Sequence, residues 1–317
     1  MVKKQYVSGW LVFLCALVIV PALYGQEIVR EALASFPTQT VRVEYSGLAT
    51  LRTLPNYVNL RQRFTGPRLA GLEDSLSQLG IHESDIDELL LGWQIGAKEM
   101  ALYGLATGRF NPQDIADRAS DLTLSSTIVA GLPVYCLQAS AGDTCVVALQ
   151  DTLGAFGTLP TLTAMLEARS GGTPSLNSDS RIVRLTGEAA KNVPIWGVAV
   201  GPAVEDWFKG WSPAQVGIKM DWGQLVQGID SMIYTVATTD RVHLEVKLDG
   251  ATPEAAARVR QLLDGLRLAQ KIAWQTQNAG QPNPFEDMEV GLQGNRVSLG
   301  MTMPYASLQA VKVPGGP

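Results

Sequence analysis

The chain is poor in the residues from which active sites are usually assembled. Two histidines in 317 residues leave little material for imidazole acid–base or metal chemistry. Cys15 lies in an apolar leader, and the other two cysteines, Cys136 and Cys145, have the spacing of neither a Cys-x-x-Cys redox site nor a zinc knuckle. Charged residues make up only 17%, against a usual ~25%, which excludes a solvated, disordered chain. A net charge of −5 provides no basic footprint, so nucleic acid is set aside as a partner. The Gly-x-Ser-x-Gly elbow, the Walker loop and Gly-x-Gly-x-x-Gly are all missing. The expectation is therefore no cofactor, no metal, no catalytic residue and a non-catalytic role.

What is present begins with an address. Lys3 and Lys4 precede a run from Gln5 to Gln26 without a charged residue, and its centre from Trp10 to Val20 is continuously apolar. Positive charge ahead of such a core marks an export segment, with the lysines left in the cytoplasm. Two outcomes stay open for residues 1–26. Gly25 before Gln26 offers a cleavage position, although Leu23 fits poorly where a small residue is expected. Residues 7–25 are also long enough to remain as a membrane anchor, which needs ~17–25 residues. Either outcome puts the body outside the cytoplasm, in the periplasm, secreted, or tethered to the inner membrane.

The body alternates between strand and helix patterns. Val242, Leu244, Val246 and Leu248 interleave with His243, Glu245, Lys247 and Asp249, the period of a strand with one wet face. Asp249-Gly250 turns the chain, Thr252 and Pro253 open a helix, and Val259, Leu262, Leu263, Leu266 and Ala269 give it an apolar stripe. A hairpin from Met288 to Met303 turns at Gly294-Asn295. The first half carries a similar series. Strands are expected at Ile86–Gln94 and Met100–Thr107, a helix at Gln113–Ser120 behind Asn111-Pro112, and a hairpin at Val134–Leu149. Helix-like pieces near Thr152–Phe156 and Tyr305–Ala310 close the two series.

The expected fold is thus α+β: two tandem ββαββα-like repeats, antiparallel sheets with helices on one face, preceded by an N-terminal hydrophobic helix. The expected spans are 27–210 for the first domain and 211–313 for the second, with a boundary at Gly210-Trp211-Ser212-Pro213. Residues 314–317 form a tail with no capacity to fold.

Cys136 and Cys145 fall on the two strands of the first hairpin. With a four-residue loop Gln138 faces Cys145 and Cys136 is its diagonal neighbour, while a bulge brings the cysteines opposite. A cross-strand disulfide and a pair of buried thiols both fit this placement. Of the two histidines, His243 sits on a strand's polar face. His82 precedes the acidic run Glu83-Ser84-Asp85-Ile86-Asp87-Glu88, which reads either as a cation site without EF-hand spacing or as a turn. Trp196, Trp207, Phe208, Trp211 and Trp222 fall within 27 residues. Packing between domains accounts for such a cluster, and so does an apolar groove, which makes Trp207, Phe208, Trp211 and Trp222 the candidate ligand-binding residues.

From Leu79-Gly80-Ile81 to Ile86-Asp87, and again along the Pro253–Leu266 helix, the chain resembles uncharacterised bacterial envelope proteins with an export segment and repeated α+β units. That resemblance implies a fold and a location and no activity. The expected role is a cell-envelope binding or interaction module, partnered by an envelope protein or an apolar ligand. A periplasmic carrier of lipid and a cryptic hydrolase at His82 are the alternatives.

Overall fold

The computed structural model describes residues 25–55, 57, 58, 61, 67–96, 100–109, 111–137, 143–191, 193–209, 222–277 and 283–308. The expected N-terminal hydrophobic helix, the 210–213 boundary and the 314–317 tail lie outside them. Among the described residues no helix is long and apolar enough to cross a membrane.

The chain runs α1 (Gln26–Ser35), β1 (Thr40–Ser46), α2 (Leu48–Leu51), α3 (Pro67–Gln78), β2 (Ile86–Ile95), β3 (Met100–Gly108) and α4 (Pro112–Asp121). Four strands follow, β4 (Ser125–Val129), β5 (Leu132–Leu137), β6 (Thr144–Gln150) and β7 (Leu153–Gly157). Next come α5 (Leu159–Arg169), α6 (Ser180–Ala189), β8 (Ile195–Val200), α7 (Pro202–Lys209) and α8 (Trp222–Leu225). The last elements are β9 (Ile229–Thr238), β10 (Val242–Gly250), α9 (Pro253–Gln277), β11 (Glu289–Gln293), β12 (Arg296–Met303) and α10 (Tyr305–Leu308).

Helix boundaries follow their sequence signals. Asn111 accepts the Gln113 N–H at 3.1 Å ahead of Pro112, and the Thr252 hydroxyl accepts the Ala255 N–H at 3.2 Å ahead of α9. Gly80, with φ of 75°, ends α3 so that the Ile81 N–H reaches back to the Leu76 carbonyl at 3.0 Å.

The described strands form one twelve-stranded sheet, ordered β11-β12-β10-β9-β8-β1-β2-β3-β7-β6-β5-β4, and every neighbouring pair is antiparallel. Instead of separate sheets, the spans expected as two domains share this one across the β8–β9 pairing. Helices cover both faces, not one. On one face Ile28 and Ala32 of α1, Leu162 and Met165 of α5, and Ile182 and Leu185 of α6 pack on Val43, Tyr45, Leu90, Tyr103, Leu105 and Trp196. On the other face α9 and α7 cover Met232, Val246 and Leu248, while α3 and α4 cover Leu91, Trp93 and Phe156. A sheet this wide has two apolar faces wherever its strands are central, so helices on one face alone would leave the other wet.

Three further differences have local causes. The piece near Thr152–Phe156 is a strand, β7, inserted between β3 and β6, not a helix. Leu153, Ala155 and Phe156 are all buried, which removes the alternation that announces a half-wet strand. Strand β4 and helix α6 have no counterpart among the expected elements. Finally, the expected Cys136–Cys145 disulfide is present, but with the two residues directly opposite, so the register differs from that of a four-residue loop with Gln138 facing Cys145.

Candidate functional site

The middle of the sheet, on the α7 and α9 side, carries a row of polar and aromatic side chains between two apolar clusters. Strand alternation sends Val43 and Tyr45 of β1 into the opposite core and leaves Arg42 and Glu44 on this face. The Arg42 Nε and Nη2 donate to Glu44 Oε1 at 2.9 and 2.6 Å, and both side chains are largely enclosed, at 17% and 16% exposure. Trp93, the cross-strand partner of Arg42, places its ring 4.4 Å beneath the guanidinium. On the other side Glu44 pairs with Gly197 of β8, and Gly197 with Tyr234 of β9. A Cβ on Gly197 would run into the Tyr234 ring, so the missing side chain is what lets that ring lie over β8. Trp207 of α7 meets Tyr234 at 5.4 Å and Phe208 at 5.0 Å.

The electrostatics follow from enclosure. Burial opposes the charge on Arg42, but the Glu44 carboxylate together with Tyr234 and Asp206 outweighs it and the pKa is raised. Burial, with the Glu44 charge close by, pushes the Tyr234 hydroxyl well above its ordinary range. The arrangement sets an enclosed charge pair against the Trp93 ring, with Tyr234 and the part-exposed Trp207 alongside.

The expected site residues are only partly brought together. Trp207 belongs to the row, while Phe208 is 2% exposed and serves the apolar core beneath α7. Trp211 and the side chain of Trp222 lie outside the described residues. Trp196 faces the opposite core, stacked on Tyr45 at 5.6 Å. Sequence reasoning misses Arg42, Glu44, Trp93 and Tyr234. Their signal is the pairing of opposite charges two apart on one strand, which otherwise reads as a wet face.

The histidines and the acidic run have structural partners. His243 Nδ1 lies 2.8 Å from the Thr302 hydroxyl on the neighbouring strand. The Asp85 carboxylate accepts the His82 backbone N–H at 3.1 Å. Arg52 donates to the Glu83 and Ile86 carbonyls at 2.9 and 2.7 Å and to Asp87 at 3.4 Å. Glu83 takes the Tyr57 hydroxyl at 2.7 Å, and Glu88 takes those of Tyr45 and Thr107 at 2.8 and 3.1 Å. Among the described residues no group of three or more His, Cys, Asp or Glu could hold a metal ion.

Two hollows are small. An apolar one of about 30 Å³ lies among Leu76, Ile86, Ile115, Val146 and Phe156. One of about 220 Å³ beside α7 and α8 is lined by Pro202, Val204, Glu205, Val226 and Gln227.

No protein-family model and no curated protein matches the chain. Among solved structures, crystal form I of TP0453 superposes with a TM-score of 0.52 at 9% identity, covering 89% of this chain and 97% of that one. Crystal form IV of TP0453 gives 0.46 at 10% identity, over 88% and 95%. The first likeness shows the fold, a mixed α+β architecture with a large antiparallel sheet and several helices.

Proposed function

We propose that the protein is a non-catalytic, exported module of the bacterial cell envelope that recognises a partner through the Trp207 side of its sheet. The observation that carries this reading is Trp207, part-exposed on α7 with its ring 5.4 Å from that of Tyr234, on the face of the sheet that holds the enclosed Arg42–Glu44 pair. Tryptophan is among the residue types that dominate recognition surfaces. The Cys136–Cys145 bond supports an oxidising compartment, and with it the export segment at residues 1–26. The mirrored strand order about the β1–β8 pair supports two tandem copies, one reading β1-β2-β3-β7-β6 and the other β8-β9-β10-β12-β11. On that reading β5 and β4 extend one copy, and β8 belongs with the second, which moves the division from residue 210 to the loop between α5 and α6.

The alternatives have less support. A carrier of acyl chains needs an apolar space of roughly 300 Å³ or more, whereas an apolar hollow among the described residues, at Leu76, Ile115 and Phe156, measures about 30 Å³. A hydrolase at His82 would need carboxylates that Arg52, Tyr57, Tyr45 and Thr107 already engage.

Two measurements test the proposal. An alkaline phosphatase fusion after residue 308 is expected to be active, and an inactive one removes the exported reading. Capture from envelope extracts is expected to enrich a partner with the native chain and to lose it with Trp207→Ala. Equal capture by both removes the Trp207 surface.

A further inference from the structure

The two ends of the sheet are not alike. At one end β11 carries Glu289, follows Glu286 and Asp287, and is packed by α9, the devices that keep an edge from pairing. At the other end β4 reads Ser-Ser-Thr-Ile-Val, with neither charge nor proline, and within it only Val129 is part-buried. Ile128 is 68% exposed, an isoleucine on an open edge. Among the described residues β4 pairs with β5 alone.

We propose that β4 is a pairing edge for a second copy of this chain, joined antiparallel about a two-fold axis at Thr127. This goes beyond the Trp207 surface and does not depend on it. The geometry fixes the register. Val129 and Leu132 flank a two-residue turn whose Ala130 and Gly131 have φ of 48° and 81°, so they form the closing hydrogen-bonded pair. By alternation Ser125, Thr127 and Val129 bond towards β5, whereas the N–H and C=O groups of Ser126 and Ile128 point outwards. Pro133 opposite Ile128 fits this phase, because that position needs no donor within the hairpin. Two copies centred on Thr127 then exchange hydrogen bonds between Ser126 of one and Ile128 of the other.

Self-pairing suits this strand better than most. A two-fold axis sets like residues near one another, which penalises charged strands, and β4 has no charge to penalise. Ile128 becomes a diagonal neighbour of its counterpart and is covered on both sides. The Cys136–Cys145 bond, directly across from Ser125, fixes the hairpin to β6 and lowers the ordering cost of docking. So short a strand buries little area, so the dimer is weak and concentration-dependent.

Sedimentation of the native chain should show dimer growing with concentration. Ser126→Pro removes an outward donor without touching the β4–β5 bonds, and should lower the association constant by at least about tenfold while the melting temperature is unchanged. In a Cys15→Ser background, Thr127→Cys should form a Cys–Cys link between copies at position 127, identified by mass spectrometry. A chain that stays monomeric up to about 1 mM, or a dimer that survives Ser126→Pro, overturns the proposal. Capture through Trp207 should be unaffected by Ser126→Pro, so the two readings fail separately.

Discussion

Arg42→Met would leave Glu44 enclosed beside aromatic rings without its cation, and a loss of about 3 kcal/mol in urea unfolding is expected. The double variant Arg42→Met, Glu44→Leu should recover most of it, because an apolar pair removes the stranded charge. On the opposite face Asp249 receives Arg296 at 2.6 and 2.9 Å. Burial, the largest influence, raises its pKa, yet the hydrogen bonds and charge of Arg296, the Ser231 hydroxyl and the Arg184 charge together hold it below the ordinary 3.8. A carboxyl lowered in the folded state stabilises at pH above its unfolded value and loses that contribution as pH falls through the folded one. The stability gap between the native chain and Asp249→Asn should therefore be constant near neutrality and close below about pH 4. A gap that is unchanged at pH 2 would contradict this.

Among the elements, the hairpin β5–β6 is held by its disulfide across a sequence separation of 9. Replacing both cysteines by serine should lower stability by about 2–3 kcal/mol, read as the difference in urea midpoint between the paired variant and the oxidised chain. Most elements are legible because each carries one strong local signal: Asn111-Pro112 before α4, Gly80 after α3, and alternation in β10. Those that escape lack it for a physical reason. In β4 nearly every side chain is exposed, and in β7 nearly every one is buried, so neither has a period of two. Helix α6 has a readable stripe in Ile182, Leu185 and Ala189 and a cap in Asp179, but the Gly- and Ser-rich stretch before it makes the whole segment read as loop. The candidate site is less legible than the fold. Trp207 is found through composition, whereas Arg42, Glu44 and Tyr234 come together only through the β2-β1-β8-β9 register, which no single stretch encodes.

Taken across the full width of the sheet, β1 and β8 are the middle pair of the twelve strands described. Trp196 is 1% exposed there and stacks on Tyr45 across that pair. Its environment is contributed by β1 from one end of the sequence and β8 from far along it, so its loss is not confined to either. Trp196→Ala should cost about 3–5 kcal/mol and raise amide exchange in β2 and β9 together. In the native chain exchange should be slowest in β1 and β8, covered on both faces and paired on both sides, and fastest in the edge strands β4 and β11. If Trp196→Ala loosened β9 and left β2 protected, the sheet would be two units in contact and not one.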